Sequence, residues 1–298
     1  MTSHFSVVLM CGLVIGTGAG CRPAESPSVS SAPSAPRRII SISPNSTEII
    51  AALGAADRLV AVSDFCVWPE SIKKLPRVGG LFDVNLEAIL RLHPDLIVLR
   101  GRHHGVEQLC ASGGIRLFRD RTESLADIFA TLEELGEVLD CREQAAAAQQ
   151  RMRDRLMAIV KAVDGRARPR VLITLARSTD AITSVMVGGK GTFVDDMITA
   201  AGGQNVFGDL SAAYPSVAQE AILVARPEVI IDAMPEVNLT SELEAKARRQ
   251  WRELGPLPAV ETNRVFLLCD ENATIPSPRI VDVIAKLAKW FHPEATID

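Results

Sequence analysis

Residues 87–99 read EAILRLHPDLIVL and residues 220–232 read EAILVARPEVIID. Twice, a glutamate opens a short helical run, a proline ends it, and an aliphatic run of strand length follows. A strand this apolar must be covered on both faces, so each copy belongs inside its own layered unit. The stretches before the two copies echo one another as well, STEIIAALGAADRLVAV against GTFVDDMITAAGGQNVF. The duplication predicts two similar lobes.

The rest of the chain fits that division. From Arg38, short β-rich runs alternate with helical ones: RIISIS (38–43), a helix over TEIIAAL, RLVAVS (58–63), a helix over LEAILRL, DLIVL (95–99), a helix over VEQLCAS and IRLF (115–118). This rhythm predicts parallel strands with crossover helices. Asn45, with Glu48 three residues on, is the predicted N-cap of the first helix. After Glu123 helical spacing takes over: SLADIFATLEELGEVL, an interruption at Asp140-Cys141, then residues 142–165 without a breaker until Gly165. That second helix would be roughly 35 Å long at 1.5 Å per residue. Past Pro169 the α/β rhythm returns with RVLITLA (170–176), helices predicted over 192–201 and 216–225, EVIIDAM (228–234), a helix around SELEAKARRQW, RVFLLC (264–269) and a last helix over 278–291. The predicted class is α/β, with two Rossmann-like lobes of parallel-rich sheet (37–140 and 166–298) joined by one backbone helix (141–165). A cleft between them is the natural ligand site.

Several functions are excluded by their missing parts. A net charge of −4 does not supply the clustered cations that phosphate neutralisation needs, so nucleic acid is not an expected partner. Arg37-Arg38 reads as a solvated strand edge. GGKGT (188–192) lacks Ser or Thr after its lysine, as a phosphate loop would require, and no G-x-S-x-G or H-E-x-x-H occurs. Cys66, Cys110, Cys141 and Cys269 show no C-x-x-C spacing; any disulfide connectivity is left open, and they read as small buried hydrophobes.

Residues 5–15, FSVVLMCGLVI, are too short to span a bilayer and lie where a secretory signal has its apolar segment. Small residues Gly18-Ala19-Gly20 lead to Cys21, then RPAESPSVSSAPSAP runs to Pro36 with nothing to anchor a core. This order resembles a bacterial lipoprotein signal (1–21) followed by a flexible tether (22–36). The resemblance implies lipidation of Cys21, export to the periplasm and a membrane-held protein. Ordinary cleavage near Ala19, leaving Cys21 a free thiol, is the alternative.

RIISISPNSTEIIAALGAADRLVAVS, LPRVGGLFDVNLEAILRLHPDLIVL, AAGGQNVF, YPSVAQEAILVARPEVII and the late SPRI together resemble the helical-backbone class of periplasmic substrate-binding proteins. Those receptors hand cobalamin, haem and iron-siderophore chelates to ABC importers. The resemblance covers about residues 37–292, and both glutamate segments are most similar to the cobalamin-binding member. It implies a monomeric carrier, not an enzyme, with no intrinsic cofactor and cobalamin or a related corrinoid as ligand. It further implies that Glu87 and Glu220 dock on basic residues of a two-subunit permease. A carboxylate in the first turn of a helix is favourable for dipole reasons alone, which is the plainer reading of both.

By motif position the resemblance places ligand contacts at Pro44, Phe65, Trp68, Phe82, Arg100, Tyr214 and Asn272, in loops at the ends of strands, with the loop around TSVMVGGKG alongside. Only 4% of the residues are aromatic, yet several fall in these loops, as a large flat chelate requires. Tyr214 reads either as a stacking wall or as an axial haem ligand. His103-His104 could ligate a metal, but the other histidines, His4, His93 and His292, lie far off in sequence, so no metal site is predicted. An iron-siderophore or haem receptor is the alternative within the class, favoured if Arg100, Arg102 and Arg177 face the cleft. An extracytoplasmic enzyme acting on a tetrapyrrole or metal complex is the alternative outside it.

Overall fold

The aliphatic runs form two sheets. The computed structural model describes residues 34–81, 83–178, 180–235 and 238–297, so the signal segment, Cys21, most of the tether and Phe82 lie outside the described residues. In chain order the first lobe holds β1 (Ile39–Ser41), α1 (Pro44–Ala52), β2 (Leu59–Val62), α2 (Leu86–Arg91), β3 (Leu96–Arg100), α3 (His104–Gly113) and β4 (Arg116–Asp120). Helices α4 (Leu125–Val138) and α5 (Arg142–Val163) follow. The second lobe holds β5 (Arg170–Arg177), β6 (Ser184–Val187), α6 (Phe193–Ala200), β7 (Gln204–Asn205), β8 (Ser216–Ala218), α7 (Gln219–Ala225), β9 (Val229–Ala233), α8 (Ser241–Leu254), α9 (Pro258–Glu261), β10 (Val265–Leu268) and α10 (Ile280–Phe291).

The first sheet has the order β2-β1-β3-β4, all parallel. In the second, β7-β5-β9-β10 repeats that order in parallel, and the antiparallel strands β6 and β8 extend it beyond the far end of β5. The duplication seen in the sequence is therefore a duplication of topology. Two expectations change. Residues 184–187, expected in a loop, pair with β5, and residues 216–218, expected at the start of a helix, pair with β6. Both segments alternate in burial and so fit a half-covered ladder better than a loop or a helix.

The repeated phrase has a structural reason. His93 and Arg226 hold equivalent left-handed conformations, φ 43° and 44°, and the proline after each ends its helix. Arg38, just before β1, donates to the exposed carbonyls of Leu92 (2.6 Å) and His93 (3.1 Å); Arg170, opening β5, donates to Ala225 (2.7 Å). Asp95 in turn accepts from the Arg38 backbone N–H (3.0 Å), and Glu228 from that of Arg170 (2.8 Å). In each lobe an arginine satisfies the helix end while an acid satisfies the strand start. Arg38 is thus a helix cap as well as an exposed residue at the strand's start.

Alternation along the strands splits the cores. Ile39, Leu96, Val98, Val171, Ile173, Val229 and Ile231 face one continuous core that takes in α5 and α10 and crosses from lobe to lobe. Their neighbours Ile40, Ile97 and Leu99 fill a second core in the first lobe, and Leu172 and Ile230 a third in the second. Helix α5, about 33 Å long, lays Ala145, Ala148, Met152, Ile159 and Val163 on the shared core. Asn45 does not cap α1: Ser43 holds the cap position and Pro44 the first turn, where its missing N–H costs nothing. Cys66, Cys110, Cys141 and Cys269 are all free thiols, the first three buried.

Helices α4 and α5 meet at Gly136, where an added Cβ would lie 2.6 Å from the Cβ of Ala145. Gly136→Val should lower stability by about 2–3 kcal/mol through overpacking, read as a fall in the urea midpoint at unchanged slope.

Candidate ligand cleft

Parallel strands present their carboxyl ends on the same edge, where loops leave for the helices. In the first lobe the segments after β1 (Ile42, Ser43, Pro44, Asn45), β2 (Asp64, Phe65, Val67) and β3 (Arg100 to Gly105) line a cleft. The second lobe contributes the segments after β9 (Pro235, Asn238) and β10 (Cys269, Glu271, Thr274, Ile275, Pro276). The cleft has a volume of about 1240 Å³. That exceeds the space a drug-sized molecule needs. Phe65, 50% exposed, together with Val67 and Leu81, gives it an apolar rim on the first lobe.

Of the residues predicted to contact ligand, Pro44, Phe65 and Arg100 line the cleft. Trp68, Asn272 and Tyr214 are not among the residues that line it. Trp68 lies under the guanidinium of Arg279, 4.7 Å from ring centre to Cζ, and the buried Asn272 donates to the Arg279 carbonyl at 3.2 Å. Tyr214 donates to Glu123 Oε2 at 3.1 Å. Phe82 lies outside the described residues. Arg102, His103 and His104 line the cleft, whereas Arg177 is buried in an ion pair with Asp232 at 2.7 Å, Asp232 also accepting from Thr174 and Trp251. Arg177 therefore braces the second sheet. The Nδ1 of His103 accepts from the Val106 N–H at the start of α3, so its lone pair is engaged by the helix, and among the described residues no three metal-ligating side chains cluster. Sequence reasoning passed over Asp64, Cys269 and Pro235; the signal that finds them is position one or two residues beyond a strand's carboxyl end.

Polar contacts between the lobes flank the cleft. Glu48 of α1, almost fully buried, accepts from Ser277 Oγ (2.5 Å) and from Arg279 Nη1 (3.0 Å) across the lobe boundary. Arg279 also reaches Glu271 of the cleft wall at 3.2 Å. The SPRI motif is thus a clasp on a carboxylate of the opposite lobe. Within the first lobe, Asp120 is buried and accepts from Asn45, Ser46 and the Thr122 N–H, which fixes the first turn of α1, where Pro44 sits.

Glu87 and Glu220 occupy the same second position of α2 and α7, both exposed. Glu87 is loosely paired with Arg91 at 3.4 Å, and Glu220 accepts from the Gln219 amide at 3.2 Å.

With this geometry in place, comparison with known proteins is direct. The family model for periplasmic binding proteins matches residues 39–271. The chain belongs to that family. Similar to it are an uncharacterized ABC transporter substrate-binding lipoprotein, YvrC, of Bacillus subtilis (strain 168), 26% identical over 87% of this chain and 81% of that protein, and the periplasmic vitamin B12-binding protein BtuF of Vibrio cholerae, 27% identical with a TM-score of 0.72 over 86% of this chain and 96% of that structure. A periplasmic heme-binding protein of Pseudomonas aeruginosa is 26% identical with a TM-score of 0.75, over 88% and 94%. The two α/β lobes and their cleft are thus the family's architecture, carried here by a substrate-binding protein.

Burial raises the Glu48 carboxyl above its ordinary 4.5, outweighing the lowering by Ser277 and Arg279. A raised carboxyl binds its proton more tightly in the folded state, so its contribution is full below 4.5 and is lost as pH rises through the folded value. Denaturation midpoints of the wild type should therefore fall more steeply than those of Glu48→Gln as pH is raised from about 4.5. Parallel pH profiles would contradict this.

Proposed function

We propose that this protein captures cobalamin or a related corrinoid in the interlobe cleft and delivers it to an ABC importer. The observation that carries the reading is the cleft itself: about 1240 Å³, lined by both lobes, with apolar and polar side chains in its wall. A corrinoid presents a broad apolar face edged with amides. Phe65, Val67, Leu81 and Pro44 suit the face; Ser43, Asn45, Asn238 and Thr274 suit the edge. The similarity to vitamin B12-binding proteins supports the same ligand.

A haem or ferric siderophore is the second reading, and one observation favours it. The segment Arg100-Gly101-Arg102-His103-His104 faces the cleft and ends at the positive end of α3, a setting for anionic groups on a ligand. Either way the role is carriage and not turnover, as membership of a binding-protein family supports.

Delivery is assigned to Glu87 and Glu220. They sit at the same turn of duplicated helices, so they suit a pair of matching basic sockets on a permease dimer, where charge governs orientation and encounter rate. Helix α5 and the shared core make a stiff bridge, and only a modest movement of the lobes accompanies capture. Export by the 1–21 signal and lipidation at Cys21 would hold the protein at the membrane on its 22–36 tether.

Two experiments test the reading. Purified protein mixed with cyanocobalamin, hemin or a ferric hydroxamate should co-elute with the first, with a Kd in the micromolar range or below, about −8 kcal/mol; co-elution with hemin alone would select the second reading, and with none would refute both. Glu87→Ala combined with Glu220→Ala should leave affinity unchanged and abolish uptake in cells. Normal uptake would remove the docking role.

A further inference from the structure

One carboxylate joins the cleft to the far lobe. Glu123, in the turn after β4, splits its two oxygens: Oε1 accepts from Arg100 Nη2 at 2.8 Å, and Oε2 accepts from the Tyr214 hydroxyl at 3.1 Å. Arg100 lines the cleft. Tyr214 belongs to the second lobe, where its ring packs 6.3 Å from that of Phe193. The same turn is stitched to the second lobe by its backbone, with the Phe193 N–H donating to the Glu123 carbonyl at 2.6 Å and the Leu125 N–H to Asp196 Oδ2 at 2.8 Å. The turn is held while the side chain of Glu123, 52% exposed, keeps contact with water.

We propose that Glu123 is a positioning residue for ligand capture: it supplies the counter-charge that a ligand anion must displace from Arg100, and it carries that displacement across the lobe boundary to Tyr214. This rests on the cleft being the ligand site. Arg100 is 28% exposed, so its charge is only partly screened by water and Glu123 answers most of it. An anion entering the cleft competes for the same guanidinium. Once it wins, Oε1 is released and Tyr214 becomes the carboxylate's remaining close partner. The hydroxyl already senses the pair, since burial first and the Glu123 charge second push Tyr214 up to about 12, against a smaller lowering by the nearby Arg100. A neutral edge, such as a ring of amides, would leave Arg100 and Glu123 paired. Glu123 thereby makes an anionic chelate compete for Arg100 and reports when one has bound.

Tyr214 is the only tyrosine, so the protein made with 3-fluorotyrosine carries a single ¹⁹F resonance at the lobe boundary. Gallium(III) protoporphyrin, a diamagnetic dicarboxylate, should shift that resonance in the wild type, whereas cyanocobalamin, whose corrin edge carries amides and whose single phosphodiester lies on the nucleotide loop away from that edge, should leave it in place. Glu123→Gln should bind the gallium porphyrin about fivefold tighter than the wild type, through loss of the competing charge, with cyanocobalamin affinity unchanged and the ¹⁹F response lost. A merely structural role predicts weaker binding of both. Porphyrin binding with no ¹⁹F shift, or with equal affinity in Glu123→Gln, overturns the inference and leaves the cleft assignment intact. So does a wild type that takes cyanocobalamin but not the porphyrin. Binding of neither overturns both. The ¹⁹F experiment on the wild type decides the matter even if the variant does not fold.

Discussion

The two sheets are held together by a shared apolar core, and polar contacts tie the lobes beside the cleft. Ile39, Leu96, Val171 and Val229 look into the same interior as Met152 and Ile159 of α5 and Ile284 of α10. Separating the lobes there would expose that interior to water, at roughly 25 cal/mol for each Å² of apolar surface. At the strands' carboxyl ends, segments from both lobes line the cleft instead. The loops stand apart and leave room for a guest.

What closes the edges of that space is a small number of charges. The clasp of Glu48 by Ser277 and Arg279 and the bond between Glu123 and Tyr214 tie opposite lobes, and each is linked to a residue of the cleft wall, Glu271 in one case and Arg100 in the other. Such contacts are modest in energy when partly exposed and depend on solvent and on competing ions. Apolar burial thus joins the lobes, while polar contacts border the space between them. A carrier that must hold and then release its cargo is served by that division.

Duplication explains how a chain reaches this arrangement with little new information. The left-handed residue before proline, the arginine on the helix carbonyls and the acid on the strand N–H groups recur in both lobes with the same partners. Solving one helix-to-strand junction solved two. It also set Glu87 and Glu220 at the same turn of equivalent helices, the placement a matched pair of sockets would need.

Much of this was legible in the chain itself. Period-two and helical spacing, the uninterrupted run of α5 and the repeated phrase determined two parallel-rich lobes on one long helix, because burial of a strand or helix face is written in consecutive residues. The family resemblance, by motif position, marked Pro44, Phe65 and Arg100 as cleft residues. Tertiary structure alone decided the rest. Arg177 and Arg100 look alike in sequence, yet one is spent on the buried Asp232 and the other faces the cleft. Glu48 and Arg279 are 231 residues apart and meet only in the fold. Which charge finds which partner depends on contacts between distant segments, and no local pattern of residues encodes those.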